Sequence, residues 1–147
     1  MDSRFVTFAL VSLVLAGVAF AHSYLSSSSI LANSILKFSP ERVTLEFTEP
    51  LEINFSTFKV YKLETKTTDP EKLKLEVQAL IDRVMTLKTD GSSRSDNGLE
   101  TIASEASVIK LKLKPNLKAG IYVLMYRVLS VDTHITQDYL TFSISSH

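Results

Sequence analysis

Apolar and polar residues alternate with a period of two along much of the chain. In the segment RVTLEFTE, Val43, Leu45 and Phe47 share one parity while Thr44, Glu46 and Thr48 share the other, and Pro40 and Pro50 bracket the run. That pattern predicts a strand with one face on a core. In VIKLKLK, Ile109, Leu111 and Leu113 alternate with Lys110, Lys112 and Lys114, so a second strand carries a ladder of lysines on a solvated face. Residues 57–63 and 138–144 also read as extended. Residues 121–129 (IYVLMYRVL) are apolar on both parities, which predicts a central strand covered on both sides. The fold class these segments imply is all-β.

One segment breaks the pattern. Asp69-Pro70-Glu71 places an N-cap, a proline at the first helical position and an acid in the first turn, so a helix is expected to start there. Leu73, Leu75, Val77, Leu80, Ile81, Val84 and Leu87 then recur mostly at helical spacing. The helix is expected to end near Lys88, before a flexible run, TDGSSRSDNG. Helix and loop together form a helical insertion between strands, spanning about residues 64–105. Met85 lies on or beside the apolar stripe, and both it and Met125 are read as core-packing residues.

The start of the chain carries its own signal. Residues 5–20 are apolar except for Thr7, Ser12 and Gly17, with Arg4 before them and Ala19-Phe20-Ala21 at their end. A charged start, an apolar run of about 16 residues and an A-x-A end make a secretory signal peptide over residues 1–21, too short for the roughly 20 residues that cross a bilayer. Cleavage after Ala21 exposes His22 as the first residue of a single domain, 22–147, with no membrane span left and a periplasmic or secreted location.

Charge and cysteine content narrow the chemistry. The chain has 16 basic and 16 acidic residues, and the leader removes one of each (Asp2 and Arg4), so there is no electrostatic footprint for nucleic acid. With no cysteine there is no disulfide and no thiolate for zinc, Cu(I) or nucleophilic catalysis. A metal site has to be made of nitrogen and oxygen.

Two of the three histidines have settings that fit such a site. An amino-terminal His22 offers its α-amine and its imidazole together, and the amine's reference pKa of about 7.7 to 8.0 lets a metal displace its proton near neutrality. In SVDTHITQDY, Asp132 and His134 are one residue apart, so in extended backbone both side chains point the same way. One amine, two imidazoles and a carboxylate form a tetragonal set that suits Cu(II) by geometry and by its rank in the affinity order. Glu49 has the parity of the apolar residues of its strand yet carries a charge, so it is a further ligand or a hydrogen-bond orienter of the site. His147 reads as a frayed tail.

At these residues the sequence resembles the CopC family of periplasmic copper-binding proteins. The stretches AHSYLSSSS, VTLEFTEPLE and LKAGIYVLMYRVLSVDTHITQDYLTFSI carry the resemblance, the last through a Y-x-V-x-W-R-V-x-S-x-D-x-H block. The resemblance implies an immunoglobulin-like Greek-key β-sandwich and Cu(II) ligation by His22, Asp132 and His134, with Glu49 nearby. Tyr126 stands where the family usually has tryptophan. A methionine-rich Cu(I) site is not expected, because only Met85 and Met125 remain after cleavage.

The expected function is that of a non-enzymatic Cu(II) carrier or buffer in copper homeostasis and resistance, with copper and a membrane copper importer as partners. The rival from another class is a copper oxidase of the lytic polysaccharide monooxygenase type, which also uses an amino-terminal histidine brace. The chain lacks tryptophan for a sugar-binding face and supplies Asp132 where such oxidases leave positions for oxygen.

Overall fold

The protein is represented by a computed structural model, which describes residues 23–146. Among these described residues, eight strands form two four-stranded sheets. The first has the order β1 (Leu25–Ser28), β3 (Arg42–Glu52), β6 (Glu105–Leu113), β5 (Asp96–Leu99), and the second the order β2 (Ser34–Leu36), β8 (Ile135–Ile144), β7 (Gly120–Leu129), β4 (Thr57–Leu63). Every pairing is antiparallel except β2 with β8. Between β3 and β4 the chain crosses from one sheet to the other through a 3-10 turn, Ile53–Phe55. The architecture is the all-β, immunoglobulin-like Greek-key sandwich with a helix set between strands.

The alternating residues meet where the period of two sends them. Val43, Leu45 and Phe47 of β3 and Ile109, Leu111 and Leu113 of β6 face Tyr122, Leu124, Tyr126 and Val128 of β7 across the sandwich. Lys110 and Lys112 point to solvent. The other parity of β7, Val123 and Met125, is also buried, because helix α1 (Pro70–Val84) packs over the outer face of the second sheet with Val77, Leu80, Ile81 and Val84. Met85 and Met125 both lie in this second core. At roughly 25 cal/mol per Å² of apolar area removed from water, a continuous apolar layer on each face makes β7 the strand with most to lose from polar substitution.

Helix α1 starts as its sequence dictates, with Asp69 Oδ1 accepting from the N–H groups of Glu71 (3.0 Å) and Lys72 (3.1 Å). It ends at Val84 rather than near Lys88. Leu75 is 71% exposed and Leu87 47% exposed. Leu75 stands about 200° around the helix from Leu73, on the opposite face, and Leu87 lies past the helix end.

The run TDGSSRSDNG is not a loose loop but a built turn leading into β5. Asp90, Ser95 and Asp96 are buried in it. The Lys59 ammonium on β4, only 2% exposed, donates to the carbonyls of Val84 (2.7 Å) and Leu87 (2.8 Å) and to Asp90 Oδ2 (2.7 Å). The Tyr61 hydroxyl donates to the same carboxylate oxygen at 2.5 Å. Arg94 donates through Nε and Nη2 to both oxygens of Asp96 (3.0 and 2.5 Å), and Asp96 Oδ2 accepts the Val60 N–H (2.8 Å). Two acids that look like solvated loop residues are thereby anchors: Asp90 pairs the lysine that holds the C-terminal end of α1 to β4, and Asp96 ties the start of β5 to β4. No helix among the described residues is long and apolar enough to cross a membrane.

Candidate metal centre

Three separate stretches of chain meet at one end of the sandwich. The end of β3 is the hub. The Ser23 hydroxyl donates to the Glu49 carbonyl (3.4 Å), and Tyr24 and Thr48 bond in both directions, Tyr24 N–H to Thr48 Oγ1 (3.0 Å) and Thr48 N–H to the Tyr24 carbonyl (2.9 Å). On the other side of the hub the Val131 N–H donates to the Pro50 carbonyl (3.1 Å), and Leu51 forms a bridge with Ser130. The segment that follows the expected cleavage site and the turn between β7 and β8 are therefore bound to adjacent residues of one strand. Ser23 is wholly buried, so the chain enters the fold at a fixed point beside Glu49.

The turn holds Asp132 and His134 together. Oδ1 of Asp132 and Nδ1 of His134 are 3.2 Å apart, with the two side chains 40% and 31% exposed. That separation is short enough for one ion to take both donors; both side chains are partly exposed, while the Nδ1 atom of His134 is itself shielded from solvent. The Ser130 hydroxyl donates to Asp132 Oδ1, and this bond, followed by the one with His134, holds the Asp132 carboxyl below its usual range. The carboxylate is therefore present as an anionic donor throughout the neutral range.

The pair converges by a route different from the extended one expected. Thr133 sits at φ 72°, in the left-handed region, so the two donors belong to a tight turn. The Thr133 N–H donates to the Ser130 carbonyl (2.9 Å), and the Ser130 N–H donates to the His134 carbonyl (2.9 Å). Ser130, fully buried, is the residue the sequence reading passed over; its signal is the serine two positions before the acid in the S-x-D-x-H block.

The other site residues fare unequally. Glu49 is half-buried and has its main chain tied to Ser23, but among the described residues no three His, Cys, Asp or Glu side chains form a group that could hold a metal. His22, the third member of the expected set, lies outside the described residues, as does His147. Tyr126 is buried edge-to-face with Phe47 (5.2 Å between ring centroids) and beside the tilted ring of Phe58 (6.4 Å), and burial, then the charge of Asp138, pushes its hydroxyl up to about 12. It is a neutral packing residue of the core.

Comparison with known proteins places this arrangement in a family. The CopC domain model matches residues 64–145, a stretch that takes in α1 and β5 as well as the Asp132–His134 turn. Copper transport protein CutJ of Bacillus subtilis (strain 168) is 32% identical over 126 residues, which cover 86% of this chain and 18% of CutJ, so the chain spans less than a fifth of that relative. Protein YobA of Escherichia coli (strain K12) is 27% identical over 124 residues, covering 84% of this chain and 79% of YobA. Among solved structures, CopC from Methylosinus trichosporium OB3b is similar at a TM-score of 0.58 and 24% identity over 86% of this chain and 96% of that one. PcoC, a methionine rich copper resistance protein from Escherichia coli, is similar at a TM-score of 0.57 and 23% identity over 85% and 100%. These two likenesses establish the sandwich fold. With its family model covering more than half of its length, the chain belongs to the CopC family.

Proposed function

We propose that this protein is an exported Cu(II)-binding carrier or buffer, active in the periplasm or outside the cell in copper homeostasis and resistance, and that it passes copper to a membrane importer. Asp132 and His134 supply a carboxylate and an imidazole; His22, freed by cleavage after Ala21, supplies the amine and a second imidazole. Glu49 stands at the rim of this set, as a further ligand or as the residue that orients the amino-terminal segment. The observation that carries the reading is the convergence at the end of β3, where Ser23, the neighbour of His22, and the turn bearing Asp132 and His134 are bonded to consecutive residues. The copper names of the relatives support it as well.

The chemistry asked of the protein is capture and release, without turnover. All four donors must be unprotonated to bind, so affinity falls as pH falls. Between pH 7 and 5 the nitrogens set the slope, since imidazole and amine have reference values of about 6.5 and 7.7 to 8.0 and the carboxylate one of about 3.9. Amine plus two imidazoles can lose up to about three decades of affinity per pH unit, and a site without the amine only about two. The test is a competition titration with Cu(II) from pH 7 to 5 on the processed protein and on a variant with one glycine added before His22. The native terminus should bind one ion tightly with the steeper profile, and the extension should weaken binding greatly. A flat profile, or equal affinity of the two termini, sinks the assignment of His22.

A further inference from the structure

The Asp132–His134 turn contains a polar group that the ligand set leaves without a task. Ser130 is fully buried although it borders a solvent-facing turn. Its hydroxyl has one proton to give, and gives it to Asp132 Oδ1 while accepting the N–H of His134 at 3.3 Å. Its own N–H and carbonyl bond to the carbonyl of His134 and the N–H of Thr133, each at 2.9 Å. One residue thus closes the turn through its main chain and grips the acid through its side chain. Thr133, between the two donors, is β-branched and left-handed at φ 72°, a conformation that persists only where surrounding bonds over-determine it. The bonds to Ser130 do so here.

We propose that Ser130 is the positioning residue of the metal pair: its hydroxyl sets the Asp132 carboxylate, and the turn that carries it, so that carboxylate and imidazole converge before an ion arrives. The inference rests on Asp132 and His134 being ligands. An aspartate on an exposed turn would otherwise spread over its rotamers, and ordering it would subtract from binding each time an ion is taken up. Here that ordering is completed during folding. Loss of an outer hydrogen bond of this kind typically lowers metal affinity by about 10- to 100-fold.

The test uses the full chain exported with its own leader, loaded with Cu(II), in four forms: wild type, Ser130→Ala, Ser130→Thr and Thr133→Gly. Affinity by competition titration, the paramagnetic resonance spectrum of the bound ion and the unfolding temperature are read for each. Ser130→Ala should bind about 10- to 100-fold more weakly, with a spectrum broadened by more than one carboxylate placement and little change in unfolding temperature. Ser130→Thr, which restores the hydroxyl, should recover most of the affinity and the single spectrum. Thr133→Gly keeps the bonds of Ser130 and suits the left-handed position, so affinity and unfolding temperature should stay near those of the wild type. Wild-type affinity and spectrum in Ser130→Ala overturn the role of Ser130, as does a folded Ser130→Thr without recovery or a Thr133→Gly that binds as weakly as Ser130→Ala. A wild type that takes up no copper overturns the ligand assignment itself, and the role of Ser130 with it, which separates the two failures.

Discussion

Lys59 and Asp90 lie beneath α1 with 2% and 6% of their side chains exposed, whereas Asp132 and His134 sit on a turn with 40% and 31% exposed. Both are acid–base pairs, and they differ in how deeply they are buried and in what holds them. Around Asp90 everything is spoken for: burial raises its carboxyl, but the hydrogen bonds from Lys59 and then Tyr61 outweigh that and leave it below its usual range. The Tyr61 hydroxyl is pushed well above its own range, first by burial and then by its bond to Asp90. Such shifts invite a functional reading, yet all three donors of the ammonium meet acceptors within 2.8 Å, so the cluster is structural. At the turn both side chains remain partly exposed, which suits the reversible capture of an ion proposed above.

The sharpest way to break this contrast is to remove one partner from each cluster. Asp90→Ala strands a buried ammonium and should destabilise the fold by about 3 to 5 kcal/mol, read as a lower midpoint in urea; below its midpoint the variant should still bind copper like the wild type. A loss under about 1 kcal/mol would mean that the buried pair is not an anchor. His134→Ala should do the reverse. It removes a proposed ligand rather than a supporting bond, so copper affinity should fall more than about 100-fold, worth about 2.7 kcal/mol or more, with the urea midpoint nearly unmoved. A variant that keeps its copper and loses its fold would exchange the roles assigned to the two clusters.

A smaller effect concerns acid. The folded Asp90 carboxyl lies below its ordinary value, so its contribution to stability is fully present above about pH 3.9 and is lost as pH falls through the folded value. Asp90→Asn should flatten this acid limb of the stability curve, and copper-free protein is the sample in which to measure it. If the limb is as steep in the variant, other carboxylates govern acid unfolding.

How much of this was legible in the chain depended on what each segment packs against. Strands β3, β6 and β7 showed their faces because a core lies on one side of the first two and on both sides of the third. Strands β1, β2 and β5, with the sequences LSSS, SIL and DNGL, carry no alternation; they are strands because β3, β8 and β6 offer them edges to pair with, and pairing of that kind leaves no local mark. The start of α1 was readable from Asp69-Pro70 because capping is a local event. Asp90 was not, since its partner Lys59 is 31 residues away. At the candidate metal centre the residue types Asp132 and His134 were visible, while the left-handed Thr133 and the buried Ser130 that bring them together needed the turn itself.

The ammonium under the helix also constrains how this chain can change. Deleting the segment from Glu64 to Leu99 would uncover Val123 and Met125 on an outer sheet face and leave Lys59 without its carboxylate and its two carbonyls. A lysine at position 59 is harmful before the helix exists, and the helix is poorly fastened before the lysine exists. Strand and helical segment are therefore energetically coupled: a version without the segment needs an uncharged residue at position 59, and one that keeps Lys59 needs Asp90 as well. In alignments of relatives, the length of this segment and the charge at position 59 should vary together.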